Sequence, residues 1–141
     1  FGSVARLLKP GGRACIQSIV IDDALFERYV QGTDFIQQYI FPGGCLPSPA
    51  RFRAAAQAAG LRVVEEFAFG YDYAETLRRW HQRFIQQRSK VQAQGFDARF
   101  QRTWEFYLAY CEAGFDARSI DVVQYTLIKD GERPASSGTL L

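Results

Sequence analysis

The sequence contains no methionine, one histidine and three cysteines in 141 residues. Because it opens on Phe1 and lacks methionine, we expect it to be a piece of a longer protein. The odd number and wide spacing of Cys15, Cys45 and Cys111, with no CxxC pair, argue against a disulfide framework or a zinc site. The lone histidine, His81, has no second titrating partner nearby to form a triad. We therefore expect a cytoplasmic protein without a metal.

A strong charge of one sign and long apolar runs are also missing. The 17 Lys+Arg against 15 Asp+Glu leave +2, too little for a nucleic-acid binder. No apolar run reaches the roughly 18 residues that a membrane helix needs. The sequence has no GxGxxG, Walker or GxSxG loop, so we expect no cofactor-binding residues within it. A hydrophobic content of 48% nevertheless excludes a disordered tail.

Three segments have the pattern of strands. Arg13–Ile21 is a near-continuous apolar run, which is typical of a strand buried on both faces of a parallel sheet. Residues 61–69 and 119–129 alternate apolar and polar side chains. With the helices between them, the order is α-β-α-β-α-α-β, which predicts half of a doubly wound α/β sheet.

Capping residues and turn formers mark the helices. The first helix, 1–8, is expected to face inward with Val4, Leu7 and Leu8. Further helices are predicted over 24–30 behind Asp22 and Asp23, over a short turn to 39 behind Asp34, and over 49–58 behind Ser48. A long helix is predicted from Asp72 to Gly95, followed by another over 96–115.

Aromatic residues recur at every second position in Phe67, Phe69, Tyr71 and Tyr73. In an extended segment these rings would line one face. Core packing is the ordinary interpretation of such rings. The alternative is a ligand site, because open α/β sheets bind ligands beyond the carboxyl ends of their strands and aromatic faces stabilise cations.

Several motifs resemble a known family. The run RLLKPGG at 6–12 is similar to the turn before the fifth strand of S-adenosylmethionine-dependent methyltransferases. More specific is a set similar to the carboxyl-terminal part of cyclopropane-fatty-acyl-phospholipid synthases and mycolic acid cyclopropane synthases. It consists of YIFPGGCLPS at 39–48, Asp72-Tyr73, Thr76-Leu77, Trp80, Arg83-Phe84, FYL at 106–108, Cys111 and Gly114-Phe115. The resemblance covers residues 3–129.

The resemblance implies a fold and a division of the chain. Residues 1–129 would be the carboxyl-terminal half of a doubly wound, Rossmann-like methyltransferase sheet with helical insertions and an antiparallel last strand. Residues 130–141 would be a flexible tail. The family's glycine-rich cofactor loop would precede Phe1, so we expect the isolated chain to be inactive and to bind no cofactor.

The resemblance also implies a chemistry. The full-length parent would transfer a methyl group from S-adenosylmethionine to the double bond of an unsaturated acyl chain, with bicarbonate as the base. In the family, bicarbonate is held by an upstream cysteine and glutamate, by a His-x-Ile segment and by a tyrosine. Tyr73 matches that tyrosine, the backbone of Ile19 matches the isoleucine, and Gln17 stands in place of the histidine. We expect ring closure to be less certain than methyl transfer, because a side-chain amide donates hydrogen bonds but does not take up and release a proton as an imidazole does.

The substrate and the partners follow from the same resemblance. Tyr39, Phe41 and Phe69 are our hypothesis for the wall of the acyl pocket, since an alkenyl chain offers only apolar surface. The partners would be unsaturated acyl chains of phospholipid at the inner membrane face, and a homo-oligomer stays open. Two alternatives remain: a non-catalytic module that self-associates through its exposed sheet edge, or a methyltransferase of the same fold acting on a small molecule.

Overall fold

The computed structural model describes residues 1–131. The helices are α1 (Gly2–Leu7), α2 (Asp23–Gln31), α3 (Phe35–Tyr39), α4 (Pro49–Ala58), α5 (Gly70–Gln86), α6 (Arg88–Ala93) and α7 (Ala98–Asp116). The strands are β1 (Arg13–Ile21), β2 (Leu61–Ala68) and β3 (Ile120–Lys129). Of the tail predicted over 130–141, residues 132–141 lie outside the described residues. None of the helices within 1–131 combines the length and the apolar character needed to cross a bilayer.

The three strands form one sheet in the order β1-β3-β2. The last strand lies in the middle and runs antiparallel to both neighbours, with Ile19 opposite Val122 and Gln124 opposite Phe67. The predicted α/β class and the antiparallel last strand are therefore confirmed.

The bounds predicted for β1 are confirmed, whereas the parallel neighbours predicted for it are not found among residues 1–131. Within residues 1–131, the strand pairs with β3 and runs antiparallel to it. Cys15 and Gln17 are exposed, whereas Val20 and Ile21 are buried. Val20 belongs to the cluster on one face of the sheet and Ile19 packs against the cluster on the other, so the carboxyl-terminal part of β1 is covered on both faces.

One face of the sheet packs against α1 and α4. The buried cluster there joins both helical and strand residues, with Phe52 stacked on Tyr125 at 3.8 Å between ring centroids. Val4 and Leu8 of the first segment pack against this cluster, because residues four apart share a helix face. Leu7 is 82% exposed, so its predicted inward position was wrong.

The other face carries α5 and α7 over one end of the sheet. Their buried cluster consists of Ala74, Leu77, Leu108, Phe115 and Val122. Ion pairs also join the two helices. The Arg78 guanidinium on α5 contacts Glu112 at 3.0 Å and Asp116 at 3.2 Å on α7. Arg88, the first residue of α6, binds both carboxylate oxygens of Glu105 on α7, at 2.7 and 2.6 Å.

The helix starts predicted from capping residues agree with the structure where the cap is local. Asp22, Asp34 and Ser48 each accept a hydrogen bond from a backbone N–H of the first turn that follows. Asp97, which was not among the predicted caps, does the same for α7. Each satisfies a donor that the helix itself leaves without a partner. Pro49 occupies the first turn of α4, as its fixed φ favours.

The predicted extended aromatic segment was wrong. The strand ends at Ala68 and α5 begins at Gly70, two residues before the predicted Asp72, so Tyr71 and Tyr73 lie on a helix. Tyr71 is 77% exposed and Tyr73 is half-buried, so the two rings do not share an environment. The long helix also ends earlier than expected, at Gln86, and α6 continues to Ala93 before Gly95.

Candidate functional site

The backbone of Ile19 faces the open edge of the sheet. The Asp22 N–H donates to Ser119 O beside β3, whereas the Ile21 N–H donates to Pro47 O on the opposite side of β1. Backbone groups alternate in direction along an antiparallel strand, so the N–H of Ile19 points away from β3, as that of Ile21 does. An edge N–H of this kind is a hydrogen-bond donor available to a ligand.

Gln17 lies two residues before Ile19, and its side chain therefore projects from the same face of β1. It is exposed, and its Oε1 accepts a hydrogen bond of 3.1 Å from Gln124 Nε2 on β3. This bond uses the acceptor of the Gln17 amide. The Nε2 group has no hydrogen-bond partner among residues 1–131 and remains a donor.

Tyr73 lies on the first turn of α5, where its N–H donates to Phe69 O at 3.2 Å. Its ring packs against the α5–α7 cluster, 5.3 Å from the ring of Phe115 and 6.2 Å from that of Trp80. Ile19 packs against the same cluster. The fold thus brings two of the three predicted site residues to one buried cluster, with the third on the adjoining exposed part of β1.

The surroundings of Tyr73 are neutral and apolar. Burial raises the pKa of Tyr107 to about 12 and the pKa of Cys111 to about 11, and both side chains pack against the same cluster. Neither group ionises near neutral pH. Aromatic faces in such a setting stabilise a positive charge through their quadrupole.

The donor chemistry of these residues suits an anion such as bicarbonate. The donor set is a backbone N–H from Ile19, a side-chain amide from Gln17 and a phenol from Tyr73. All three are neutral groups that donate hydrogen bonds, and an oxyanion is bound by such donors. We therefore keep these residues as the candidate anion site.

The three residues expected to form an acyl-pocket wall differ in their surroundings. Tyr39 is 62% exposed at the end of α3, and Phe41 is 56% exposed, with its ring 6.2 Å from Tyr107 on α7. Phe69 stacks on Phe67 at 5.7 Å and lines a cavity of about 450 Å³ that neither Tyr39 nor Phe41 lines. Only Phe69 packs against the cluster that also holds Ile19 and Tyr73.

Sequence reasoning missed two features of this region. The first is a group of rings that α3 shares with α7, in which Phe35 lies 4.6 Å from Phe106 and 6.1 Å from Tyr110. Its signal was the four-residue spacing of Phe106 and Tyr110, which places them on one face of α7. The second is Asp121, whose Oδ1 accepts a 2.7 Å hydrogen bond from the Gly70 N–H. It gives no local signal, since 51 residues separate the two partners.

Comparison with known proteins identifies the family. The chain belongs to the family described as mycolic acid cyclopropane synthetase, which matches residues 1–125. It is 46% identical over 134 residues to tuberculostearic acid methyltransferase UfaA1 of Mycobacterium tuberculosis, covering 93% of this chain and 31% of that protein. It is 35% identical over 126 residues to cyclopropane-fatty-acyl-phospholipid synthase of Escherichia coli K12, covering 88% and 31%. The chain thus spans about a third of the length of these relatives.

Solved structures give the same fold. The mycolic acid cyclopropane synthase CmaA1, complexed with SAH and CTAB, superposes with a TM-score of 0.75 at 28% identity, covering 91% of this chain and 49% of that one. The cyclopropane synthase MmaA2 from Mycobacterium tuberculosis superposes with a TM-score of 0.79 at 23% identity, covering 91% and 48%, which supports the fold.

Proposed function

We propose that this chain is part of an S-adenosylmethionine-dependent methyltransferase that acts on the double bond of an unsaturated lipid acyl chain. The observation that carries the proposal is the common packing of Ile19 and Tyr73 against one cluster, beside the Gln17 amide. The family and the names of the relatives support the same reaction class. The substrate would be reached at the inner face of the membrane.

S-adenosylmethionine, when bound, supplies the methyl group. Its transfer forms a carbon–carbon bond to one alkene carbon, breaks the sulfur–methyl bond and leaves a positive charge on the other alkene carbon. The rings of Tyr73 and its neighbours Trp80 and Phe115 would offer this charge apolar, electron-rich faces. Bicarbonate, when bound, supplies a base, and Ile19, Gln17 and Tyr73 would hold it.

The product depends on which carbon of the cation loses a proton. Loss of a proton from the new methyl group closes a cyclopropane ring, whereas loss from a chain carbon beside the cation leaves a methyl-branched alkene. Gln17 hydrogen-bonds but does not titrate, so it neither relays a proton nor carries a charge. We propose the branched product, which agrees with the name of the 46% identical relative as a methyltransferase.

The test is product analysis with the full-length parent protein. Incubation with oleoyl phospholipid and S-adenosylmethionine is expected to add one carbon to the acyl chain, which mass spectrometry detects. The cyclopropane and the branched alkene are isomers of equal mass, so mass spectrometry does not tell them apart. Proton NMR of the purified product does. Recovery of unmodified acyl chains only, with active cofactor and dispersed lipid, would refute the proposed reaction.

Tyr73→Phe keeps the ring and removes the phenol hydroxyl. The expected result is a rate about 10- to 100-fold lower, the cost of one hydrogen bond to a charged group. The matched control is Tyr71→Phe, which makes the same change two residues away at an exposed position. Equal activity of the two variants would remove Tyr73 from the site.

A further inference from the structure

Two hydrogen bonds join the segment between β2 and α5 to β3. The Phe69 N–H donates to Val122 O at 2.9 Å, and the Gly70 N–H donates to Asp121 Oδ1 at 2.7 Å. The same carboxylate oxygen accepts a 2.7 Å hydrogen bond from the N–H of Val122. One carboxylate therefore joins the start of α5 to the central strand.

The helix needs this carboxylate because it lacks a cap of its own. The first N–H groups of an α-helix have no partner within the helix, and the residue before α5, Phe69, provides no side-chain acceptor. Asp121 supplies that acceptor from β3, and its negative charge opposes the positive end of the helix dipole.

The contact is close enough to dictate glycine at position 70. A Cβ added to Gly70 would lie 2.5 Å from Asp121 Oδ1 and 3.1 Å from Asp121 Cα. A side chain there would push the carboxylate or the helix away. Gly70 on α5 and Asp121 on β3 together set the distance between the start of the helix and the sheet.

Tyr73 lies one turn beyond this contact, and its N–H closes the first turn on Phe69 O. Val122, the neighbour of Asp121, is the register partner of Ile19 across the sheet. The carboxylate consequently links the two elements that hold the candidate anion site, with Tyr73 on one side and the partner of Ile19 on the other.

We propose that Asp121 is a positioning residue that sets the phenol of Tyr73 relative to the backbone N–H of Ile19. This inference rests on the proposed role of Tyr73. Asp121 acts through the first turn of α5, because its Oδ1 is held by the N–H groups of Gly70 and Val122. Its removal should therefore affect the anion that Tyr73 holds rather than the binding of lipid.

The test uses the full-length parent with Asp121→Ala and Asp121→Asn, in buffer freed of carbon dioxide and titrated with bicarbonate. Asp121→Ala should raise the bicarbonate concentration for half-maximal rate by about 10- to 100-fold. The KM for lipid should stay the same. Asp121→Asn keeps an acceptor oxygen and should stay within about fivefold of the parent, since only the charge at the helix terminus is lost.

A second readout is independent of activity. Hydrogen exchange of the amides of residues 70–73 should accelerate at least about tenfold in Asp121→Ala and stay near the parent rate in Asp121→Asn. The matched control is Asp97→Ala, which removes the same kind of cap from α7, where Asp97 Oδ1 accepts a 2.7 Å hydrogen bond from Phe100 N–H. It should loosen α7 locally and leave the bicarbonate response unchanged.

The outcomes separate the two proposals. If Tyr73→Phe alters the bicarbonate response and Asp121→Ala does not, the positioning role is wrong and the proposed function stands. If neither variant alters it, the proposed anion role of Tyr73 fails. Should Asp121→Ala not fold, Gly70→Ala displaces the same carboxylate from the other side and is expected to give the same shift in bicarbonate response.

Discussion

Gln17 is the residue in which this chain departs from the family it resembles. A titratable imidazole at that position would carry a proton and a charge beside the candidate anion site, which the amide does not. Gln17→His in the full-length parent is therefore expected to increase the share of cyclopropane among the products, measured by NMR of the purified acyl chains. The matched control is Gln57→His, at an exposed position on α4. A product ratio that is the same in both variants and the parent would contradict a role of position 17 in proton removal.

The three cysteines differ in reactivity because only one of them is packed against the α5–α7 cluster. Cys15 and Cys45 are exposed, whereas burial raises the pKa of Cys111 from 9.0 to about 11. Since the thiolate is the nucleophile, a rise of this size lowers the reactive fraction of Cys111 about 100-fold. Iodoacetamide at pH 8 should therefore alkylate Cys15 and Cys45 well before Cys111, as followed by peptide mass spectrometry. In denaturant, all three should react at similar rates, and early labelling of Cys111 in the native chain would contradict its burial.

The same burial predicts a loss of stability at alkaline pH. The folded state keeps the Cys111 thiol protonated up to about pH 11, whereas the unfolded chain releases that proton near pH 9. The unfolded state then binds fewer protons, so stability is complete below about pH 9 and falls as the pH rises towards 11. Tyr107 adds a loss of the same sign between about pH 10 and 12. Urea unfolding from pH 8 to 11 should show this decline, and Cys111→Ala should make it shallower.

At the scale of the element, the position of α5 depends on its buried face. Leu77 is 2% exposed and lies in the cluster that α5, α7 and β3 share. Leu77→Ala is expected to lower the free energy of unfolding by about 2–5 kcal/mol, the usual cost of the lost contacts and the cavity. Ile85→Ala on the same helix, at a position 43% exposed, serves as the control and should cost much less. Similar urea midpoints for the two variants would contradict the packing of α5.

The elements that sequence reasoning placed well are those whose determinants are local. Asp34 and Gln37 form a capping box three residues apart, and the turn at Gly60 adopts φ +76°, as a helix terminator requires. The start of α5 was misplaced because its cap, Asp121, comes from a strand far along the chain. The two-residue spacing of the aromatic side chains favoured an extended backbone over residues 67–73. The structure instead has a helix from Gly70, whose N–H is held by Asp121.

At the scale of the whole molecule, strand positions were predictable and their pairing was not. Local periodicity contains no information on which strand lies in the middle, and the antiparallel β3 was expected only through the family resemblance. The candidate site shows the same division. Tyr73, Ile19 and Gln17 came from motif similarity, whereas their shared environment depends on α5 and α7 packing over one end of the sheet. The acyl-wall hypothesis followed from the same resemblance and stays a prediction: Phe69 packs against this cluster, and the Phe41 ring lies 6.2 Å from that of Tyr107, which packs there too.

The isolated 141-residue chain is expected to bind no cofactor. It has no glycine-rich phosphate or cofactor loop and spans about a third of the length of its relatives. We therefore expect isothermal titration with S-adenosylmethionine to give no measurable heat of binding for the isolated chain and a clear binding signal for the full-length parent. β1 leaves its outer edge without a strand partner among residues 1–131, and exposed edges of this kind pair with other strands. Light scattering after size exclusion tests that pairing. A monomer would argue against the self-associating module, and tight cofactor binding by the isolated chain would show that residues 1–141 already contain a cofactor site.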